Sequence, residues 1–452
     1  MQNGKMNNSL RLFENLKKVV AGGVNSAVRS VGWTPCPIAI KHATGSTITD
    51  VDGNEYIDYN LAYGPLILGH SNKAIKEAVL AQLDKGWLYG APYELELDLA
   101  EKIVKAVPCA ESVQLSTSGT RAVLNAIRLA RAYTGKEKIV KFEGHFHGGS
   151  DDVLWSVGPP LEVIGPERNP IKISASSGIP SSKSEDVIVL PWNNLPALET
   201  TIKRCKNDIA AVITEPYLCN CGCIPPNEGY LEALRELTEE NDIILIFDEV
   251  ITGFRLALGG AQEYFGITPD LVTLGKALGG GFPISAVAGR QDLMELVASR
   301  KVFFGGTFNG SSVCVAASLA TLTELEKGYV YEHINNIGGY LIKELNKLFE
   351  DYGIEALVQG HPSVWSIFFT GLEQVRNYRE ACTSDAKKHL QFQRELLTRG
   401  VYTHPSAREH CFISAAHTKE QIEKTIEAAE DVLKKSGKMF RAESVRVVAE
   451  TI

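Results

Sequence analysis

A lysine and an aspartate each follow a short apolar run, and together they suggest chemistry on a carbonyl group. Lys276 follows residues 271–274 (LVTL) and begins the glycine-rich stretch KALGGG, whereas Asp248 directly follows residues 243–247 (IILIF). Burial favours the neutral form of a lysine amine, and a neutral amine can form a Schiff base. A carboxylate on the neighbouring strand can hold a protonated ring nitrogen, which makes that ring an electron sink. For the lysine stretch alone, the alternative is a surface lysine at the start of a helix.

Small hydroxyl residues and a glycine lie where a strand at 113–115 meets a helix. Ser118, Gly119 and Thr120 (SGT) occupy this position. Free amides and the helix dipole at such a start can bind a phosphate, although an ordinary N-cap uses the same residue types. Thr307, in GGTFNG at 305–310, is a second possible phosphate contact. The chain has no GxxxxGK[ST] phosphate loop.

An aromatic residue between two histidines follows the run at 138–142. In EGHFHGG, Phe146 lies between His145 and His147, and its ring could stack on a flat ligand. Metal binding by the histidine pair is the alternative, but no cysteine or carboxylate is suggested as its partner, so stacking is favoured. Glu215 follows the run at 209–214 in the same way. An anion cradle, a stacking ring, an acid and a lysine match the needs of pyridoxal 5′-phosphate (PLP).

The elements that position these residues alternate along the chain. Short apolar runs at 113–115, 138–142, 187–189, 209–214, 243–247 and 271–274 predict strands, and helical spacing lies between most of them. Alternation of this kind predicts an α/β fold with a mostly parallel sheet covered on both faces. Ligands bind outside the carboxyl ends of such strands, which is where the candidate residues lie.

Three parts of the chain differ in composition. We expect residues 1–59 to form an N-terminal segment that contributes to a small domain and to the entrance of the site. Residues 60–325 would form the large cofactor-binding domain, and residues 326–452 a smaller α+β domain. A long loop at about 149–186 interrupts the alternation.

Bulk composition limits the partners and the compartment. The chain has 452 residues, a net charge of −8 and 9 cysteines. Nucleic acid binding is not expected, because a phosphate backbone requires a basic face. No apolar stretch approaches the about 18 residues of a membrane span, and no secretory signal is evident. We therefore expect a cytoplasmic protein. The cluster CNCGC at 219–223 lacks the second cysteine pair of a typical zinc site, so no metal is expected.

The motifs as a set resemble the class III aminotransferases, which are fold-type I PLP enzymes. The resemblance extends from about residue 22 to residue 435 and is carried by GGVNSAVRS, YGPLILGH, SGT, KFEGHFHG, the pair Glu215-Pro216, DEVITGFR, PDLVTLGKALGGG and FISAAHT. Within the class, the chain is most similar to the glutamate-1-semialdehyde 2,1-aminomutases. The fold expected from this resemblance has a seven-stranded-type sheet in the large domain and a smaller α+β domain.

The resemblance also implies roles for individual residues around the cofactor. Lys276 would form the Schiff base and later carry a proton, while Asp248 would pair with the pyridine nitrogen. Val250 and Phe146 would pack on opposite faces of the ring. Glu215 would belong to the same cofactor site.

Phosphate and substrate contacts follow from the same resemblance. Ser118, Gly119 and Thr120 would bind the phosphate, and Thr307 would reach it from the other subunit of a homodimer. The residues expected at the substrate are Arg29, Tyr63 and Glu409; for Arg29 a loop salt bridge is the alternative.

Four positions depart from the pattern of the aminomutases. Arg121 replaces the usual glutamate of SGTEA, GTFNGSS replaces GTLSGNP, Tyr63 replaces a common tryptophan, and His145 replaces a small or thiol residue. The GTF sequence is closer to relatives that act on β-amino acids or D-aryl amino acids.

The sequence therefore leaves several activities open. The first expectation is an aminotransferase between a carboxylate-bearing amino acid, including β- or D-amino acids, and a keto acid. The alternatives are glutamate-1-semialdehyde 2,1-aminomutase, which makes a tetrapyrrole precursor, and a PLP-dependent racemase or epimerase. A non-catalytic PLP-binding protein is disfavoured, because both Lys276 and Asp248 are present.

Overall fold

A computed structural model describes residues 6–440 of the chain. The strands are β1 (Ile40–Thr44), β2 (Thr47–Asp50), β3 (Glu55–Asp58), β4 (Ser112–Ser116), β5 (Lys138–Phe142), β6 (Val187–Leu190), β7 (Ile209–Thr214), β8 (Ile244–Glu249), β9 (Leu271–Leu274), β10 (Ser285–Gly289), β11 (Leu357–His361), β12 (Val364–Phe368), β13 (Val401–Tyr402) and β14 (Cys411–Phe412). The α-helices are α1 (Asn7–Leu16), α2 (Lys73–Leu83), α3 (Glu94–Ala106), α4 (Gly119–Thr134), α5 (Leu195–Cys205), α6 (Tyr230–Glu240), α7 (Gly260–Phe265), α8 (Gln291–Ala298), α9 (Ser312–Leu325), α10 (Tyr329–Asp351), α11 (Tyr378–Ala381), α12 (Ala386–Leu397) and α13 (Lys419–Phe440).

The central sheet has seven strands in the order β4-β10-β9-β8-β7-β5-β6. All neighbouring pairs from β9 to β6 are parallel, whereas β10 is antiparallel to both β4 and β9. The predicted α/β fold with a mostly parallel sheet is therefore confirmed. The carboxyl ends of β4, β5, β7, β8 and β9 all lie at one edge.

Continuous apolar runs in the central strands fit burial on both faces of the sheet. In β8, Ile244 and Ile246 join one apolar cluster, which includes residues of α4 and α8. Leu245 and Phe247 point the other way and join the larger cluster. Because every residue of β8 is buried, this strand has no alternating polar face.

Strand β10 was not predicted from the sequence. Its residues, SAVAG, are small and show no period-2 alternation, so the pattern used for the other strands does not detect it. It is buried throughout and lies between β4 and β9. There the Ser285 hydroxyl lies 2.7 Å from that of Ser116.

Two small sheets accompany the central one. The first has the order β1-β2-β3-β13, in which β13 pairs in parallel with β3, so the N-terminal segment shares a sheet with a late part of the chain. The second has the order β11-β12-β14. The expected domain boundaries near residues 59 and 325 stay predictions. Within residues 6–440, no helix is both long and apolar enough to cross a membrane.

Candidate active site

A cavity of about 830 Å³ lies at the carboxyl-end edge of the central sheet. It gathers the candidate residues from segments that are far apart in sequence. The candidates at its wall are Arg29, Tyr63, Ser118, Gly119, Thr120, Phe146, Glu215, Asp248, Val250, Lys276 and Glu409. Thr307, the remaining candidate, is not at this wall.

Three hydrogen bonds orient the carboxylate of Asp248. Its Oδ2 lies 2.7 Å from His147 Nδ1. Its Oδ1 accepts hydrogen bonds from the Thr273 hydroxyl at 2.9 Å and from the Val250 amide at 3.2 Å. Thr273 is the direct cross-strand neighbour of Asp248 in the β8–β9 pair. Hydrogen bonds to an ionised carboxylate are strong, so this acid is held in one orientation at the cavity wall.

Lys276 combines an unusual backbone conformation with a desolvated amine. It follows β9 at the start of a 3₁₀ turn and has a φ of 40°. Left-handed backbone is costly for a residue other than glycine and recurs at functional sites. Burial lowers the pKa of the Lys276 amine, and the charge of Glu409 opposes this shift. The neutral amine required for attack on a carbonyl is therefore favoured relative to an exposed lysine.

The first turn of α4 forms one wall of the cavity. The Ser118 hydroxyl accepts a hydrogen bond from the Arg121 amide at 3.3 Å, so Ser118 is the N-cap of this helix. The Thr120 hydroxyl accepts from the Gly149 amide at 3.1 Å. The amides at a helix start have no intrahelical partners, so a cap and a phosphate cradle are compatible here.

Val250 lies directly beside two glycines at the cavity wall. A Cβ placed on Gly119 would lie 3.1 Å from Val250 Cγ2, and one on Gly275 would lie 3.4 Å from Val250 Cγ1. The absence of side chains at both positions therefore allows the valine to sit close to the backbone, on the wall that also carries the start of α4.

Glu215 holds the backbone of the loop that presents Phe146. Its Oε1 accepts from the Phe146 amide at 2.9 Å, and its Oε2 accepts from the amides of Cys219 at 3.0 Å and Asn220 at 3.2 Å. Burial raises the pKa of Glu215 to about 7. Phe146 itself is 41% exposed, so its ring is available to a ligand in the cavity.

The three residues expected to contact substrate also line the cavity. Tyr63 has a φ of 67° and belongs to a run of residues with positive φ that extends from Leu61 to Gly64. The pKa of Tyr63 is raised to about 12, mainly by burial and also by the charge of Glu409, whereas Arg29 opposes the shift. Glu409 and Arg29 therefore both influence this tyrosine, although they come from opposite ends of the chain.

Thr307 lies on an exposed loop outside the cavity. Arg121 points towards this loop, since its Nη2 donates to the carbonyl of Gly305 at 2.9 Å. The arginine that replaces the usual glutamate therefore anchors the loop that carries Thr307.

His147 and Thr273, which hold Asp248, were not predicted from the sequence. His147 was considered with His145 as a metal ligand, but residues 6–440 contain no group of three or more His, Cys, Asp or Glu side chains arranged for a metal. The sequence signal that could identify His147 is its position after β5, which ends at the same edge of the sheet as β8.

The fold and the cavity together define a class of protein. A seven-stranded sheet with one antiparallel strand carries a lysine, an aspartate and a helix start around one cavity, as in the fold-type I PLP-dependent enzymes. The residues fit this cofactor, since Asp248 faces the cavity, Lys276 has a desolvated amine, and Gly119 leaves the start of α4 uncovered by a side chain.

Comparison with known proteins gives the family. The family described as aminotransferase class-III matches residues 28–433, and the chain belongs to this family of PLP-dependent enzymes. A relative from Methanocaldococcus jannaschii, named glutamate-1-semialdehyde 2,1-aminomutase, is 47% identical over 95% of this chain and 98% of its own length.

Solved structures of proteins with two different activities closely resemble this fold. An omega-transaminase from Sphaerobacter thermophilus has a TM-score of 0.86 and 30% identity, covering 94% of this chain and 97% of its own. A glutamate-1-semialdehyde aminomutase (K286A) from Pseudomonas aeruginosa, in complex with PMP, has a TM-score of 0.86 and 25% identity, covering 95% and 94% of the two chains.

Proposed function

We propose that the protein is a glutamate-1-semialdehyde 2,1-aminomutase. The observation that carries this proposal is the 47% identity, over nearly the full length of both chains, to a relative of that name. A second relative of the same name, from Methanothrix thermoacetophila, is 46% identical over 95% of this chain. These identities favour the aminomutase, which the sequence motifs gave as an alternative, over the intermolecular aminotransferase that they gave first.

The reaction moves an amino group between neighbouring carbons of one molecule. Substrate and product are isomers, so no external amino donor or acceptor is consumed. When bound, PLP supplies an electron sink for the carbon that loses its proton. We assign the proton transfers to Lys276, because its amine has a lowered pKa and a general base and acid works best near the operating pH.

The other residues at the cavity wall would bind and orient the cofactor and the substrate. Asp248 would hold the ring nitrogen through a carboxylate that is itself fixed by His147 and Thr273. The first turn of α4 would bind the phosphate. Arg29 would bind the single carboxylate of the substrate. Burial raises the pKa of Glu409, and the charge of Lys276 opposes this shift, so the two groups influence each other at the cavity wall.

Turnover without a second substrate tests this proposal. Purified PLP-loaded protein is incubated with glutamate 1-semialdehyde alone, and formation of 5-aminolevulinate is followed. We expect multiple turnovers in the wild type and none in Lys276→Ala, while Lys301→Ala, at an exposed lysine outside the cavity, should match the wild type. Lack of product under conditions in which PLP is bound would refute the aminomutase.

A second candidate is an aminotransferase acting on β- or D-amino acids. It is favoured by the GTF sequence at 306–308 and by the similarity to the omega-transaminase. It predicts conversion of bound PLP to its amine form by such donors, with release of a keto acid. Loss of optical activity without a keto acid would instead indicate a racemase or epimerase.

A homodimer completes the proposal for the cofactor site. Thr307 does not line the cavity of its own chain, and its neighbours Phe303 and Phe308 are 72% and 63% exposed. Exposed aromatic residues are enriched at interfaces, which supports contact between this loop and a second copy. The cytoplasm is the proposed compartment, because all 9 cysteines are free thiols, as is usual in a reducing compartment.

A further inference from the structure

Three buried ring nitrogens behind Asp248 have no hydrogen-bond partner among residues 6–440. They are Nε2 of His145, Nε2 of His147 and Nε1 of Trp192. The three side chains are at most 1% exposed. The ring of His145 lies beside the other two, since its centroid is 5.6 Å from that of His147 and 4.9 Å from that of Trp192. Unpaired buried polar atoms are costly, so this group requires a partner.

The other nitrogen of each imidazole fixes where its proton lies. His145 Nδ1 accepts a hydrogen bond from the Glu215 amide at 3.1 Å, so the proton of its neutral ring is on Nε2. His147 Nδ1 faces the Asp248 carboxylate at 2.7 Å, so its proton is on Nδ1 and its Nε2 is an acceptor. Burial lowers the pKa of both imidazoles, which favours these neutral forms.

The unpaired atoms are therefore two donors and one acceptor. A single water can accept from His145 Nε2–H and Trp192 Nε1–H and donate to His147 Nε2. Three hydrogen bonds are typical of a buried water. The donor and acceptor types thus match one water molecule, whereas a metal ion would require acceptors at all three positions.

We propose that this water links His145 to His147, and that His145 is a positioning residue for the cofactor acid Asp248. By supplying a hydrogen bond to His147 Nε2, the water helps to hold the imidazole in the orientation in which its Nδ1–H bonds to Asp248. Without it, the His147 ring loses one of the two hydrogen bonds that orient it. The role of Asp248 rests on the proposed function.

Imidazole nitrogen NMR of the PLP-free protein tests the linkage directly, because two-bond ¹⁵N–¹H correlations identify the tautomer. We expect His147 to be protonated on Nδ1 in the wild type and in His145→Ala, and its Nε2 resonance to shift in the variant because that nitrogen loses its hydrogen bond. His145→Gln, whose amide can replace the Nε2 donor, should restore the wild-type pattern. An unchanged His147 signal in a folded His145→Ala protein would overturn the proposal.

PLP affinity provides the second measurement. Outer-shell partners of metal-binding histidines contribute about 10- to 100-fold to affinity, and we expect His145→Ala to weaken PLP binding about tenfold. In a His147→Ala background the same change should have no further effect. Equal losses in both backgrounds would show that His145 does not act through His147. Neither measurement uses glutamate 1-semialdehyde, so the result is independent of whether that substrate is turned over.

Discussion

Substitution of Gly119 by alanine tests whether the wall formed by Val250 fits the cofactor tightly. Gly119 is the first residue of α4 and its φ is outside the left-handed region, so alanine introduces no backbone strain. Its Cβ would lie 3.1 and 3.2 Å from the two methyl groups of Val250. Ordinary contacts begin near 3.4 Å, so the valine must move by a few tenths of an ångström.

The direction of this movement determines the expected magnitude. Gly275 is also close to Val250, since a Cβ placed there would lie 3.4 Å from Val250 Cγ1, and Val250 itself lines the cavity. The valine side chain is branched at Cβ and has few rotamers, so it is displaced into the cavity. Overpacking costs about 1–3 kcal/mol. If that cost falls on the ligand, PLP binding weakens by about 5- to 150-fold.

Titration of the cofactor-free protein with PLP, followed by absorbance, measures this effect. Gly149→Ala is the matched control, since a Cβ at Gly149 would meet nothing within 4 Å and its amide to Thr120 remains. We expect both variants to unfold at similar temperatures without PLP, and only Gly119→Ala to bind PLP weakly. Equal PLP affinity in the two variants would refute the assignment of Val250 to the ring.

Two further predictions concern a buried lysine and the proposed dimer. Lys141 is 0% exposed and donates to the carbonyls of His145 and Trp155, and burial lowers its pKa to about 7. Because the unfolded chain binds the Lys141 proton more tightly, this group should raise the free energy of unfolding of the wild type by up to about 1.4 kcal/mol per pH unit between pH 7 and 10. Urea unfolding measures this rise, which should be absent in Lys141→Met. It should remain in the control Lys138→Met, at a lysine that pairs with Asp208 near the surface. Thr307→Ala should weaken PLP binding at least about tenfold. If Thr307 contacts the cofactor of the other subunit, a mixed dimer of one Thr307→Ala chain and one Lys276→Ala chain has one intact site and should regain about half of the wild-type activity. If Thr307 serves its own subunit, the mixed dimer should show only the activity of Thr307→Ala.

The sequence predicts the central sheet well where strands are buried on both faces. The runs at 138–142, 209–214 and 271–274 match β5, β7 and β9 in their bounds. Their apolar continuity is a direct result of helices on both sides. β10 was missed because small residues carry no such signal, although it fixes the order of the sheet at one edge.

The positions of residues relative to the predicted strands also explain which site residues could be predicted from the sequence. Asp248 is near the carboxyl end of β8, one residue beyond the apolar run, and Lys276 follows the neighbouring parallel strand β9, so their proximity follows from sequence order and sheet direction. The contact between His147 and Asp248 spans 101 positions and depends on how the loop after β5 folds back. The spacing of residues in the sequence therefore could not show that His147 Nδ1 contacts the Asp248 carboxylate.

The origin of the cavity walls explains why the cofactor was easier to predict than the substrate. The residues assigned to PLP mostly follow strands of one sheet, whose geometry is shared by many relatives. Arg29, Tyr63 and Glu409 instead come from the two ends of the chain, which also meet where β13 pairs with β3. The positive φ values from Leu61 to Gly64 show that tertiary packing, rather than local backbone preference, determines the conformation of this part of the cavity wall. Substrate choice therefore depends on contacts between distant segments, and small changes there can redirect the same cofactor chemistry.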